Sequence, residues 1–291
     1  MTRNANLTRR DFLAVCGLGL TTIGLAGCGG TTKGGASGSS SASDSSASDS
    51  TSSSGDYNLV KPGKLTLISE FYYPPYEMID PDTKEYEGFD VDLYREVCKR
   101  LGLEENILPS VQFDTIVPTI KQGGKADISF GAITITDSRK EEVAMTDPYL
   151  DSNQSIVVKK GATTTTPDSL NVKGMQIAVQ AGTTSEDWAR ENLASATIVT
   201  LDDAIQALTG VQSGLYNACV IDLPVSTYEI KEAYTDLEIP DDCKIPTGEQ
   251  VGAVINKGNT ALLKAVNKAL KEIKDDGTED KLEQKWFGTT I

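Results

Sequence analysis

The chain has 291 residues, 24% of them charged, with a formal net charge of −15 and no histidine at all. Such an acid excess argues against a nucleic-acid partner, because no basic patch is present to neutralise phosphates. The lack of histidine removes Ser-His-Asp triads, imidazole acid–base catalysis and His-ligated zinc together, and leaves carboxylate chemistry as the enzymatic route still open.

The N-terminus reads as an address. Thr8-Arg9-Arg10-Asp11-Phe12-Leu13 is similar to a twin-arginine export motif and precedes an apolar stretch, 12–26, that is too short to span a bilayer. Leu25-Ala26-Gly27-Cys28 looks like a lipobox, whose cysteine takes a diacylglyceryl group and becomes the mature first residue. Residues 1–27 are therefore expected to be a lipoprotein signal peptide, with lipidated Cys28 anchoring the protein to the outer face of the cell membrane. An ordinary cleaved signal peptide with a periplasmic product, and general rather than twin-arginine export, are the competing readings. Several acyl chains on one cysteine make a durable anchor. Without residues 1–27 the balance is 24 basic against 41 acidic residues, or −17, which keeps the body off an anionic membrane. Residues 28–57 continue as the anchor cysteine and a Ser/Gly-rich linker that cannot bury a core. A coil of this length has a root-mean-square reach of about 30 Å.

The folded body opens with a strand over 64–69 and an aromatic loop, Glu70-Phe71-Tyr72-Tyr73-Pro74-Pro75-Tyr76. Gly88-Phe89-Asp90-Val91-Asp92-Leu93 leads into a helix to about residue 101, with Asp90 as its N-cap. Asp90 and Asp92, two apart at a helix start, do not face each other and read as structural rather than as a catalytic pair. A strand near 110–113, a helix over 114–122 and a buried strand over 126–130 follow. After Gly131-Ala132-Ile133-Thr134-Ile135, Thr136 is placed as the N-cap of the next helix, with Arg139 in its first turn. The βαβαβ order predicts a parallel sheet with right-handed crossovers and a site at the strand carboxyl ends.

A second unit, from about 153 to 250, repeats the rhythm. It holds strands over 176–180, 197–200 and 217–222, with helices through Trp188, over 202–211 and from Pro224. The chain then returns through 251–255 to closing helices over 260–274 and 279–286. Two lobes are expected, the first made of 58–150 and 252–291 and the second of 151–251. Crossings near 149–152 and 248–252 would act as the hinge. Cys98, Cys219 and Cys243 remain after the leader and the anchor. Their odd number excludes a complete disulfide framework, Cys98 and Cys219 read as small buried hydrophobes, and a Cys219–Cys243 bridge stays open. No cysteine pair has metal spacing, and no cofactor is expected.

Arg139 presents a planar fork that can hold a carboxylate through two parallel hydrogen bonds, or can simply pair with a nearby acid. Thr134 offers a hydroxyl and a backbone N–H to the same anion. Gly182-Thr183-Thr184 places further N–H groups at a helix start. Asp222 ends an apolar strand, where its carboxylate either faces a cleft or caps the following helix.

The Thr136-x-x-Arg139 segment, then Asp147-Pro148-Tyr149, and finally Lys285-Trp286-Phe287-Gly288, occur in the order seen in one family. From about Lys64 to Gly288 the chain resembles the amino-acid-binding proteins of ABC importers, bacterial solute-binding family 3, with the α/β two-lobe type II periplasmic-binding fold. The resemblance implies that Arg139, Thr134 and Thr184 hold the ligand carboxylate, with Thr183 beside them. It gives the ammonium to Asp222 and to the carbonyl of Ala132, and puts the rings of Tyr73 and Phe113 beside the ligand side chain. Glu70, with Gln180 assisting, matches a site that meets the far end of a polar or cationic side chain. A core role for Phe113 and an exposed, solvated Glu70 are the alternatives. The implied partners are a free L-amino acid and a membrane ABC permease, and the protein is expected to be a monomer without catalytic activity. A carboxylate-using dehydratase of the same fold, or a lipoprotein presenting its ligand to a sensor, are the rival functions.

Overall fold

The computed structural model describes residues 57–290. The predicted signal peptide, the lipobox cysteine Cys28 and the linker up to residue 56 lie outside the described residues.

The first sheet has five strands in the order Glu104–Ile107, Lys64–Leu67, Ile128–Ser129, Val254–Ile255 and Ala144–Met145. Lys64–Leu67 is parallel to both of its neighbours, whereas the returning Val254–Ile255 is antiparallel to both of its own. The expected wholly parallel sheet is thus corrected by the strand that comes back from the second unit. The strand expected near 110–113 is not formed. It lies instead at Glu104–Ile107, where polar residues suit a sheet edge exposed to solvent, and Lys64 pairs with Glu104 at 2.6 Å. Phe113 begins a short 3₁₀ turn, Phe113–Thr115, that runs into the helix Ile116–Gln122.

The aromatic segment is not all loop: Tyr72–Tyr73 forms a small sheet with Glu77–Ile79 and Tyr86–Glu87. The helix Phe89–Leu101 begins two residues earlier than expected, with Gly88 at its N-cap position. Gly88 has φ +129, and a Cβ there would lie 2.3 Å from the carbonyl oxygen of Tyr76, so only glycine fits. Asp90 is therefore not the cap. It is buried inside the first turn, where its Oδ2 accepts the N–H of Ala132 at 2.7 Å and the hydroxyl of Tyr149 at 2.9 Å. Asp92 accepts from Lys285 Nζ at 2.7 Å and Trp286 Nε1 at 2.9 Å, which ties the C-terminal helix Thr278–Trp286 to the first helix. Phe287 completes this junction, with its ring 5.3 Å from those of Tyr76 and Phe89. Helix Thr260–Asp275 buries Leu262, Val266 and Ile273 completely, each worth about 1.5 to 3 kcal/mol.

The second sheet runs Thr197–Leu201, Gln176–Gln180, Ala218–Asp222, Leu150–Lys159 and Leu237–Glu238, with Lys244–Val251 also paired on Leu150–Lys159. The parallel strands put their carboxyl ends, Gln180 and Asp222, on one edge. The two chain crossings between the sheets are the start of Leu150–Lys159 and the end of Lys244–Val251, joined antiparallel with Leu150 opposite Val251 and Ser152 opposite Glu249. Neither was read as a strand, because Asp151, Asn153 and Glu249 interrupt the apolar pattern on the solvent side.

Cys98, Cys219 and Cys243 are buried free thiols. A Cys219–Cys243 bridge does not form: the two belong to different core clusters, and Cys243 Sγ donates to the carbonyl of Thr165 at 3.4 Å. Among the described residues no helix is long and apolar enough to cross a membrane.

Candidate functional site

The strand Ile128–Ser129 runs out into Gly131 and Ala132 at the carboxyl edge of the first sheet. Ala132 takes a left-handed φ of 50°, a conformation that L residues adopt at a cost, and the bond from its N–H to buried Asp90 holds it there. A Cβ on Gly131 would sit 2.5 Å from Ser69 Oγ, so the loop passes its neighbours at backbone distance. Thr136 then caps the helix Asp137–Glu142 by accepting the N–H of Arg139 at 3.2 Å. The cap fixes the root of the Arg139 side chain. Its Nη1 donates to the carbonyl of Thr134 at 2.8 Å and its Nη2 to the carbonyl of Gly182 at 3.0 Å. The guanidinium lies over Phe113, 5.5 Å from the ring centroid. Gly182 lies in the turn after the strand Gln176–Gln180 of the other sheet, so this one cation joins the two halves.

From the second sheet, Thr183 caps the helix Thr184–Asn192 by accepting the N–H of Glu186 at 3.1 Å. Thr184 Oγ1 faces Thr134 Oγ1 across the gap at 3.3 Å. Asp222 occupies the N-cap position of the helix Leu223–Glu232, but its side chain makes no capping bond, which corrects the capping alternative. The carboxylate turns inward instead, accepting from Gln154 Nε2 at 2.7 Å and from the hydroxyl of Tyr73. Burial, and next the neighbouring Glu249, push the Asp222 carboxyl up to about 7, against the pull of Tyr73, Gln154 and Arg139. Burial draws the Arg139 guanidinium below its ordinary value, while Asp222, Asp187 and Glu249 pull the other way.

These groups share one small cavity. The first half lines it with Tyr73, Phe113, Ala132, Thr134 and Arg139, and the second half with Gln180, Thr183, Thr184 and Asp222. Of the residues that the resemblance assigns to the ligand, Glu70 alone does not line it. Glu70 lies behind Gln180, whose Nε2 donates to its two carboxylate oxygens at 2.7 and 2.9 Å. The exposed reading of Glu70 is overturned, since it is 3% exposed. Burial pushes its carboxyl up to about 7, with Asp203 and Asp114 adding to the rise and the Gln180 bond opposing it. Phe113 is half-buried, touching the core cluster around Ile68 and Ile116 while giving its ring to Arg139.

Three contributors escaped the sequence reading: Asp90 behind Ala132, and Gln154 and Glu249 beside Asp222. Gln154 left one trace, an amide at the head of the apolar run Ser155-Ile156-Val157-Val158. Among the described residues, no group of three or more Cys, Asp or Glu is arranged to hold a metal ion.

The sequence matches the bacterial extracellular solute-binding proteins, family 3, over residues 65–289. The L-cystine-binding protein TcyJ of Escherichia coli K12 is 30% identical over 229 residues, which cover 79% of this chain and 84% of that protein. An ancestral arginine-binding protein, solved with arginine and with glutamine bound, is 35% identical with a TM-score of 0.72, over 78% of this chain and 99% of that one. An ancestral amino-acid-binding protein, a precursor of cyclohexadienyl dehydratase, is 39% identical with a TM-score of 0.72, over 77% of this chain and 96% of that one.

Proposed function

This chain belongs to family 3 of the bacterial extracellular solute-binding proteins, and from that premise we propose that it is the extracytoplasmic amino-acid-binding component of an ABC importer, delivering its ligand to a membrane permease. One observation carries the proposal to this cavity: a guanidinium from one half and a carboxylate from the other, Arg139 and Asp222, line the same small space. An α-amino acid needs an anion site and a cation site facing each other, and here the two charged groups come from different halves.

In this scheme Arg139 and Thr134 receive the carboxylate from the first half, and Thr184, with Thr183 beside it, adds its donors from the second. Asp222 and the carbonyl of Ala132 take the ammonium, and Tyr73 and Phe113 flank the side chain. The two antiparallel crossings serve as the hinge. Because each half holds part of the site, the ligand binds the closed form better and draws the population toward it. Gln180 lines the cavity with its amide nitrogen turned back onto Glu70, which leaves its amide oxygen as an acceptor and favours a polar or basic side chain. A dehydratase is not favoured, since the ancestral precursor to which the chain is similar is itself an amino-acid-binding protein.

A thermal-shift screen over the twenty L-amino acids tests the assignment. A ligand present at a hundred times its Kd stabilises the native state by about 2.7 kcal/mol, or roughly 5 to 10 °C in a domain of this size. The largest shift is expected from a polar or basic amino acid, and no shift with any of the twenty would overturn the function. Membrane attachment through Cys28 belongs to the same proposal, motivated by the Leu-Ala-Gly-Cys sequence at 25–28. A Cys28→Ala variant is expected in the soluble fraction of fractionated cells. If it sediments with membranes as the wild type does, the anchor assignment fails.

A further inference from the structure

The acid end of the cavity contains a second carboxylate. Gln154, fully buried in the strand Leu150–Lys159, donates from one nitrogen to Asp222 Oδ1 and to Glu249 Oε2, both at 2.7 Å. The same nitrogen lies 3.3 Å from Thr184 Oγ1, and the amide oxygen accepts from Ser185 Oγ at 2.6 Å. An amide nitrogen carries two hydrogens, so Gln154 can give one to each acid and has none left. Arg139 attracts both acids through space but donates its hydrogen bonds to the carbonyls of Thr134 and Gly182. Two carboxylates therefore meet at one neutral group.

Glu249 reaches this place through a break in its strand. The ladder between Lys244–Val251 and Leu150–Lys159 shifts register between Ile245 and Glu249. Within the break Gly248 takes φ +67, and its N–H donates to Asn153 Oδ1 at 2.9 Å. A bulge re-aims the side chains beside it. Here it turns Glu249 toward Gln154, and Thr247 Oγ1 donates to the same carboxylate oxygen at 3.1 Å.

We propose that Glu249 is a positioning acid of the ligand site, set against Asp222 across Gln154 so that Asp222 keeps its proton until the ammonium of an amino acid replaces it. The exchange rests on the amino-acid-binding function proposed above. Its balance is simple: the Asp222 carboxyl loses its proton to solvent and becomes the carboxylate that the ligand ammonium pairs with. No bond between heavy atoms forms or breaks. The groups facing Asp222 are Tyr73 and Tyr76 from the aromatic segment, Arg139 from the opposite loop, Gln154 from the adjacent strand and Glu249 from the crossing. Of these only Arg139 is a cation, and its pull does not offset burial and the second acid, so the Asp222 carboxyl stands at about 7. Below that pH an incoming ammonium must expel the proton, and affinity is expected to fall about tenfold per pH unit. Above it, affinity is flat.

The test is a carbon-13 NMR titration of the aspartate carboxyls in the ligand-free protein, with Asp222 assigned by its loss in Asp222→Asn. In the wild type Asp222 is expected to titrate near neutrality, and in Glu249→Gln at least one pH unit lower. Addition of all twenty L-amino acids at millimolar concentration should hold the wild-type Asp222 ionised throughout pH 5 to 8. An Asp222 that titrates in the ordinary carboxylate range in the wild type overturns the proposal without recourse to any variant. So does an equal midpoint in Glu249→Gln. If the neutral midpoint is found but the amino-acid mixture leaves it unmoved, the exchange falls together with the amino-acid function while the acid pair itself stands.

Discussion

Arg139→Ala is expected to weaken amino-acid binding by roughly a hundredfold to a few thousandfold, about 3 to 5 kcal/mol, with little loss of folded stability. The ligand carboxylate gives up water on entering a small cavity whose other charged group is an acid. With the guanidinium gone, that carboxylate would be buried against two threonine hydroxyls and the backbone, and most of the cost is that of an unpaired anion. The variant also loses the bond to Gly182, one of the contacts that join the two halves when closed. The fold should survive, because the helix start depends on the backbone N–H of residue 139 and the Thr136 hydroxyl, neither of which the substitution removes. Arg139→Lys should recover only part of the affinity, since an ammonium keeps the charge but lacks the fork. Calorimetric titration with the amino acid giving the largest thermal shift measures the loss. An unchanged Kd in Arg139→Ala would place the carboxylate elsewhere.

That this arginine could be picked out from the sequence has a physical reason. A Thr N-cap acts over three residues, so the Thr136–Arg139 start is encoded where it is used, and the same holds for Thr183 and its helix. Asp222 was visible for a similar reason, a polar residue closing an apolar strand. What stayed hidden depends on contacts far along the chain. Glu104–Ile107 is polar because it is a sheet edge, and its strand character comes only from pairing with Lys64–Leu67. Asp90 was read as a cap because its neighbours are helical. Its partners, Ala132 and Tyr149, lie 42 and 59 residues away, and no local signal announces them. Glu249 is harder still, since its direction is set by a register shift in a strand pair separated by almost a hundred residues. Glu70 was ambiguous for the opposite reason. An acid in a loop is ordinarily solvated, and only Gln180 from the other half makes its burial tolerable.

Asp222→Asn should separate binding from stability, with opposite signs. Affinity is expected to fall by roughly thirty- to a thousandfold, about 2 to 4 kcal/mol, because the ammonium loses its counter-charge while the shape of the site is kept. Asparagine can still accept from Gln154, so the loss is not that of a collapsed site. The ligand-free protein, by contrast, should become more stable at neutral and alkaline pH. The Asp222 carboxyl stands at about 7 in the folded chain against an ordinary 3.8, so folding opposes its ionisation. Its destabilising effect is absent below about pH 4, grows as the pH rises between the two values and is complete above about 7. At 1.36 kcal/mol per pH unit the full effect is at most about 4 kcal/mol, and structural relaxation around the charge reduces it. Urea unfolding at pH 4 and at pH 8 therefore gives the discriminating comparison: near-equal midpoints for wild type and variant at the lower pH, and a higher midpoint for Asp222→Asn at the upper. Equal midpoints at both would mean that the acid is solvated in the ligand-free state rather than buried against Gln154 and Tyr73. A binding loss without the stability gain would leave Asp222 as a ligand contact but remove the role given to Glu249 beside it.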